Sequence, residues 1–109
     1  MSVTPVTKPV FLQVTKNNMT IDELFNIIED RKRNMPKNSY VASLFKAGQD
    51  RIIQKVGEEV TEVVITAKNK NKKRIVYEVA DLLFHILILL AFFNIKLSDI
   101  RKELESRRK

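Results

Sequence analysis

The sequence contains no cysteine and only 2 glycines and 3 prolines among its 109 residues. Without cysteine, neither a disulfide nor a thiolate metal site can form, and a reducing cellular interior is permitted. The scarcity of glycine and proline disfavours a turn-rich β architecture and favours continuous helices. No shift in composition along the chain indicates a second core, so we expect one all-α domain.

The chain also lacks a basic stretch followed by an apolar segment at its N-terminus, so we expect no secretory signal and a cytoplasmic protein. The longest apolar run, residues 82–93, is interrupted by His85 and is shorter than the roughly 20 residues that span a bilayer. We interpret this run as a core helix and expect no membrane partner. The formal net charge of +7 suits nucleic acid, an anionic surface or a polyphosphate ligand, and does not choose among them.

The N-terminal part of the chain divides into an arm and the start of a helical domain. We interpret residues 1–19, with two of the prolines, as an N-terminal arm, and residues 20–109 as the all-α domain. Thr20 and Glu23 have the spacing of a capping box, which predicts that the first helix begins here. This helix should end near Asn34, because a proline two residues later disfavours helical geometry in the residue before it.

The remaining pattern predicts two long helices and a short one. A loop with one helical turn is expected over residues 38–46, then helices over about 49–67 and 73–93. The lysine-rich segment 68–74 would be a solvated connection between two antiparallel helices. A last short helix should start at Ser98 as its cap. The second long helix becomes apolar on every side, so we expect an antiparallel bundle of four to five helices completed by dimerisation.

Two acidic patterns interrupt the apolar helices. Glu58, Glu59 and Glu62 form an E-E-x-x-E pattern, and Glu78 and Asp81 form an E-x-x-D pattern. Side chains three positions apart lie on one face of a helix, so antiparallel packing would let the two groups converge. Burying several carboxylates together is costly unless a cation or protons lie between them, and magnesium prefers oxygen ligands. The pattern therefore predicts a Mg²⁺ site, with Glu59, Glu62, Glu78 and Asp81 as ligands and Glu58 as a further ligand or a base.

Each of these residues also has a simpler interpretation. The first acidic cluster could pair with Arg51 and Lys55 on a solvated surface, although the repeated spacing in the second cluster favours the metal site. Lys55 could hold a phosphate beside the metal or only neutralise its acidic neighbours. His85 could ligate a metal or orient Asp81, but a lone histidine on an apolar helix is more often a hydrogen-bonded core residue.

The contexts of these motifs are more specific than the acids alone. The segments 39–48, 55–62 (KVGEEVTE) and 77–85 (YEVADLLFH) resemble phosphoribosyl-ATP pyrophosphohydrolase of histidine biosynthesis, within the all-α MazG-type nucleotide pyrophosphohydrolases. The resemblance covers about residues 20–106. It implies Mg²⁺-dependent hydrolysis of phosphoribosyl-ATP to phosphoribosyl-AMP and pyrophosphate by a cytoplasmic homodimer.

The resemblance also implies which residues do the chemistry. Glu59, Glu62, Glu78 and Asp81 would hold the metal, and either Glu58 or Glu59 would accept a proton from the attacking water. Weaker candidates for contact with the nucleotide are Ser39, Tyr40, Lys46 and Lys55. Two alternatives are a general pyrophosphohydrolase with the same metal site and another base pocket, and a basic, dimeric nucleic-acid-binding bundle with structural acids. We expect a small nucleotide substrate and no nucleic-acid partner.

Overall fold

The computed structural model describes residues 19–108, which form α-helices and no strands. The helices are α1 (Ile21–Asn34), α2 (Tyr40–Ala47), α3 (Gln49–Lys68), α4 (Lys72–Phe92) and α5 (Leu97–Ser106). The predicted all-α class and the number of helices are confirmed for this part of the chain. The predicted arm lies outside the described residues except for Met19, which packs against the core.

Helix α1 begins and ends where its local chemistry predicts. The Thr20 hydroxyl accepts a hydrogen bond from the Glu23 amide at 3.0 Å, and the Glu23 carboxylate accepts one from the Thr20 amide at 3.0 Å. This reciprocal capping box satisfies two amides that a helix otherwise leaves without partners. At the other end Met35 adopts a left-handed conformation with φ 45°, and its amide donates to Arg31 O. The predicted first helix is therefore confirmed.

Helix α2 is longer than the single turn predicted, because Ser39 caps it and three of its residues are buried. The Ser39 hydroxyl accepts from the Ala42 amide at 3.1 Å, and Val41, Ala42 and Leu44 pack inward. Only Gly48 separates α2 from α3, with φ 102° and ψ −174°. This conformation is accessible to glycine and strained for residues with a Cβ.

Helices α3 and α4 form an antiparallel hairpin, as predicted, but their connection is shorter. It consists of residues 69–71, because the Asn71 side chain accepts from the Arg74 amide at 3.1 Å and so starts α4 at Lys72. The prediction that residues 68–74 are a solvated connection is therefore wrong for residues 72–74, which form the first turn of α4.

The core lies where α1 and α2 pack against the C-terminal half of α4 and the start of α3. Its buried members include Phe25, Ile28, Val41, Leu44, Ile52, Phe84, Leu87, Ile88 and Ala91. Lys32 of α1 donates to the Ala91 carbonyl at 2.7 Å and thus satisfies an acceptor at the C-terminal end of α4.

Helix α5 lies on the surface and contains no buried residue. Its cap is Lys96, two residues earlier than predicted, so Ser98 lies inside the helix and does not cap it. The helix start is held instead by the Asp99 carboxylate, which accepts from the Lys96 amide at 2.9 Å. Arg101 connects this helix to α1 through two contacts of 2.6 Å with the carboxylate of Asp22.

The α3–α4 hairpin exposes an apolar face opposite its acids. On α3, Ile53, Val60 and Val64 are 46%, 44% and 53% exposed, and Val76, Val79 and Leu83 on α4 are 69%, 44% and 36% exposed. Each set repeats at helical spacing, so each forms one continuous stripe. We call these six residues the apolar face.

Helix α4 is long and apolar enough to cross a membrane by length and composition, contrary to the expectation from residues 82–93 alone. The core helix of a globular protein passes the same test. Here Glu78, Asp81 and His85 are buried against the rest of the domain. An isolated membrane-spanning helix would have to place such groups in lipid at high cost, so we interpret α4 as a core helix.

Candidate active site

Helix α3 turns part of its charged arc toward α4, whereas Arg51 and Glu58 of the same arc are exposed. Lys55 and Glu59 are 7% and 1% exposed, and Glu78 and Asp81 on α4 are 2% and 0% exposed. The antiparallel hairpin places the acids of one helix opposite those of the other, as the spacing predicts. The simpler interpretation of a solvated charge cluster is therefore wrong for Lys55 and Glu59, but it holds for Glu58, which is exposed and pairs with Lys55.

Glu59 and Asp81 form the centre of the site. A carboxylate oxygen of each lies within 4.8 Å of one of the other, so the two acids repel each other when both are charged. Burial and the proximity of Asp81 raise the pKa of Glu59 to about 7, while Lys55 acts in the opposite direction. The metal-free site therefore keeps part of its charge neutralised by a proton.

Glu62 and Glu78 form the outer part of the site. Together with Arg74 and Tyr77 they line a pocket of about 200 Å³ between α3 and α4. The Arg74 guanidinium lies 3.0 Å from Glu78 Oε2, and its carbon lies 5.7 Å from the centre of the Tyr77 ring. The four predicted ligands thus lie in one seam between the two helices, with Glu59 and Asp81 buried and Glu62 and Glu78 lining the pocket.

His85 contacts the backbone of Asp81, and Tyr40 in turn contacts His85. His85 Nδ1 lies 2.8 Å from the Asp81 carbonyl oxygen, which can only accept, so Nδ1 carries the proton. His85 Nε2 then accepts from the Tyr40 hydroxyl at 2.8 Å. Burial and the charge of Asp81 raise the pKa of Tyr40 above its ordinary value, so this hydroxyl keeps its proton.

This arrangement decides between the interpretations of His85. A nitrogen of His85 lies within 4.8 Å of carboxylate oxygens of Glu59 and Asp81, so distance alone would allow a shared metal. Both ring nitrogens, however, already have hydrogen-bond partners. The structure therefore favours the core residue that positions Asp81. It also gives the Tyr40 hydroxyl an internal partner, and the contact of Tyr40 with a nucleotide stays a prediction.

Lys55 and Glu58 lie at the edge of the buried pair. Lys55 Nζ is 3.4 Å from Glu58 Oε1 and 3.6 Å from Glu59 Oε2, so it neutralises both acids. The Glu58 side chain is 48% exposed. Burial acts to raise the pKa of Glu58, but a hydrogen bond from Gln54 and the nearby Lys55 outweigh it and lower the pKa. Glu58 is therefore ionised at neutral pH and reachable from solvent.

Two other predicted residues lie apart from this seam. The Ser39 hydroxyl caps α2, which is a structural contact. Lys46 is exposed and lines a separate cavity of about 460 Å³ at the junction of α1 and α2. None of the predicted metal ligands lines that cavity, so the structure does not bring Lys46 to the acids.

Sequence reasoning did not identify Arg74 and Tyr77 as part of the site: Arg74 lies in the lysine-rich segment 68–74, and Tyr77 lies in the predicted helix 73–93 without an assigned function. One signal could have identified Arg74: it precedes Glu78 by four positions, which is the spacing of a helical ion pair. No comparable signal identifies Tyr77, whose position depends on the length of the connection.

The donor set fits a hard divalent cation. Glu59 Oε1 and Glu78 Oε1 are buried side-chain oxygens without a hydrogen-bond partner among the described residues. A buried acceptor without a partner costs free energy, and ligation of a cation would remove this cost. Carboxylate oxygens supplied from two helices are the ligands that Mg²⁺ prefers.

Comparisons with known proteins point in the same direction as the motifs. A sequence model of the family described as phosphoribosyl-ATP pyrophosphohydrolase matches residues 21–108. A phosphoribosyl-ATP pyrophosphatase of Clostridium botulinum is 50% identical over 95 residues, which cover 87% of this chain and 86% of the relative. The corresponding protein of Haloarcula marismortui is 44% identical over 90 residues, covering 81% of this chain and 92% of the relative. The phosphoribosyl-ATP pyrophosphatase of Geobacter sulfurreducens is 48% identical over 87 residues, which cover 80% of this chain and 81% of the relative.

Proposed function

Because this chain belongs to the phosphoribosyl-ATP pyrophosphohydrolase family, we propose that it hydrolyses phosphoribosyl-ATP to phosphoribosyl-AMP and pyrophosphate in histidine biosynthesis. The reaction would take place in the cytoplasm and depend on Mg²⁺. The observation that carries the chemistry is that four carboxylates lie along the seam between α3 and α4: Glu59 and Asp81 are close together, Glu62 and Glu78 line one pocket, and buried oxygens of Glu59 and Glu78 have no hydrogen-bond partner among the described residues.

Glu59, Glu62, Glu78 and Asp81 would hold the cation. When bound, Mg²⁺ would neutralise the phosphate oxygens and make the phosphorus more open to attack. His85 holds the Asp81 turn from behind through the contact at 2.8 Å, and Tyr40 fixes the ring of His85. Such support keeps a ligand in one orientation, so the site needs little rearrangement when it fills.

Glu58 is the residue best placed to accept a proton from the attacking water. Its side chain is 48% exposed at the edge of the acidic seam, where water can reach it. It is ionised at neutral pH, although its lowered pKa also makes it a weaker base, so the assignment depends on its position. Glu59, in contrast, is 1% exposed and has a carboxylate oxygen within 4.8 Å of one of Asp81. We therefore assign proton transfer to Glu58 and ligation to Glu59. Lys55, which contacts both acids, would offset charge beside them.

Release of pyrophosphate from phosphoribosyl-ATP, with and without EDTA, tests reaction, substrate and metal together. We expect turnover that EDTA abolishes and that Glu62→Gln reduces by orders of magnitude. A parallel assay with dUTP and other nucleoside triphosphates tests the substrate. Preference for a plain triphosphate would favour a general pyrophosphohydrolase. Full activity of Glu62→Gln would contradict the assignment of the acids and favour a structural function for them.

The apolar face supports a second part of the proposal, a homodimer. Its six residues lie on the two longest helices of the described chain, opposite the acids. Two copies of one stripe can bury each other about a two-fold axis, since such an interface uses the same surface on both subunits. Burial of this face would complete the covering of α4, which one copy leaves partly exposed.

A further inference from the structure

Arg74 lies at a helix end where its charge is unfavourable. Lys72, Lys73 and Arg74 form the first turn of α4, which contains no acidic residue. The N-terminal end of a helix carries partial positive charge, so cations there reduce helix stability. An arginine four residues before a glutamate is also the weaker orientation of a helical ion pair. Helix stability therefore does not explain why Arg74 is here.

The contacts of Arg74 indicate another explanation. Its guanidinium lies 3.0 Å from Glu78 Oε2, whereas the other oxygen of this buried carboxylate has no hydrogen-bond partner among the described residues. The Arg74 side chain is 58% exposed and lies over the Tyr77 ring at the rim of the pocket that Glu62 also lines. Arg74 thus places a positive charge beside the buried carboxylate of Glu78, while most of its own side chain is exposed to solvent.

We propose that Arg74 occupies Glu78 in place of the divalent cation in the metal-free protein, and binds a phosphate group of the nucleotide once the cation takes over that carboxylate. Two cations on one carboxylate repel each other, so binding of Mg²⁺ weakens the hold of Glu78 on the guanidinium. The guanidinium stays at the rim, where the Tyr77 ring supports it. Its planar arrangement of donors matches a phosphate group better than an ammonium does.

This inference rests on the proposed function, but its test has readouts that do not require turnover. Titration calorimetry would measure Mg²⁺ binding to the metal-free protein and then pyrophosphate binding to the Mg²⁺-loaded protein. For Arg74→Ala we expect Mg²⁺ to bind about two- to fivefold more tightly, because an exposed competing ion pair is removed. We expect pyrophosphate to bind about tenfold more weakly, because a charge-assisted contact is lost.

The opposite signs of these two changes separate the proposal from a merely structural function, which would weaken both. Arg107→Ala is a matched control, since Arg107 contacts Glu103 at 3.0 Å with the same spacing on the surface of α5, and it should change neither constant. Arg74→Lys should bind pyrophosphate between wild type and Arg74→Ala.

Unchanged or weaker Mg²⁺ binding by Arg74→Ala would overturn the exchange at Glu78. Unchanged pyrophosphate affinity would overturn the contact with phosphate. Failure of the wild-type protein to hydrolyse phosphoribosyl-ATP would overturn the proposed function alone, because neither titration uses that nucleotide. In the turnover assay, Arg74→Ala should raise KM more than it lowers kcat.

Discussion

Replacing Glu59 with glutamine should stabilise the metal-free protein at neutral pH and abolish its activity. In the metal-free site Glu59 is 1% exposed, and its pKa is raised to about 7 by burial and by the nearby carboxylate of Asp81. Glutamine is close in shape to a protonated glutamic acid, and its amide can donate to Asp81 as the protonated acid can. It has no negative charge, so it removes the repulsion and supplies a poorer metal ligand.

The sign of the pH dependence follows from the direction of the pKa shift. Between the ordinary pKa of 4.5 and about 7, the folded state holds a proton that the unfolded state has released. The free energy of unfolding therefore decreases as pH rises through this interval. The contribution is fully present below pH 4.5 and is lost as pH rises through about 7. One pKa unit corresponds to about 1.4 kcal/mol, so a shift from 4.5 to about 7 gives a loss of at most roughly 3–4 kcal/mol, and less if Asp81 shares the proton.

Urea unfolding in EDTA at fixed protein concentration, at pH 5 and pH 8, measures this contribution. Wild type should lose about 1–3 kcal/mol between the two values from this group, and Glu59→Gln should lose correspondingly less. In thermal unfolding, each kcal/mol corresponds to roughly 4–8 °C in Tm for a domain of this size. Glu103→Gln, on the exposed surface of α5, is the matched control and should keep the wild-type slope.

A Glu59→Gln protein that is less stable than wild type at pH 8 in EDTA would refute this reasoning. It would show that the Glu59 carboxylate is stabilised in its charged form, for example by Lys55, and that the site does not need a proton. Saturating Mg²⁺ should raise the stability of wild type and leave Glu59→Gln nearly unchanged, because binding to the folded state alone stabilises it.

Three further changes test other parts of the molecule. Tyr40→Phe removes the hydroxyl that donates to His85 at 2.8 Å. It should lower the free energy of unfolding in urea by about 1–3 kcal/mol and weaken Mg²⁺ binding. An unchanged affinity for Mg²⁺ would show that this contact does not support the site. Thr20→Ala removes half of the capping box and should cost about 1 kcal/mol with kcat and KM unchanged, whereas altered kinetics would connect the start of α1 to the site. Val76→Asp on the apolar face should convert a dimer to a monomer in sedimentation experiments, while Leu104→Asp, equally exposed on α5, should not; a dimeric Val76→Asp protein would exclude the apolar face as the interface.

Much of the fold could be predicted from the sequence because helix ends depend on local chemistry. The capping box at Thr20 and the proline after Asn34 predict both ends of α1 within a residue. Helix starts were predicted less accurately where several polar side chains could serve as the N-terminal cap. Asn71 starts α4 before the basic residues, and Ser39 gives α2 a second turn, since each supplies the side-chain acceptor that its helix needs.

The acidic seam could be predicted from spacing, but its surroundings could not. A helical wheel shows that α3 has one apolar and one charged arc, without showing which arc faces α4. In the structure Lys55 and Glu59 of the charged arc are inside, whereas part of the apolar arc, including Val60 and Val64, is exposed. The contact of Arg74 with Glu78 depends on the short connection between the helices, and that of Tyr40 with His85 on the packing of α2. Contacts between distant segments of this kind have no signature in a local pattern.

Gly48 is the single residue that joins α2 to α3, so a small change in its backbone angles displaces the far end of α2. Nothing in the described chain lies within 4 Å of a Cβ placed on Gly48, so Gly48→Ala would meet no obstacle and would strain the backbone alone. Helix α2 has 8 residues, so its far end, which carries Tyr40, lies about 11 Å from Gly48 at 1.5 Å per residue. Relaxing that strain by a tilt of about 10° would swing the far end by roughly 2 Å over this distance. One added methyl group could in this way detach the phenol from the imidazole that steadies Asp81, without touching the acids themselves.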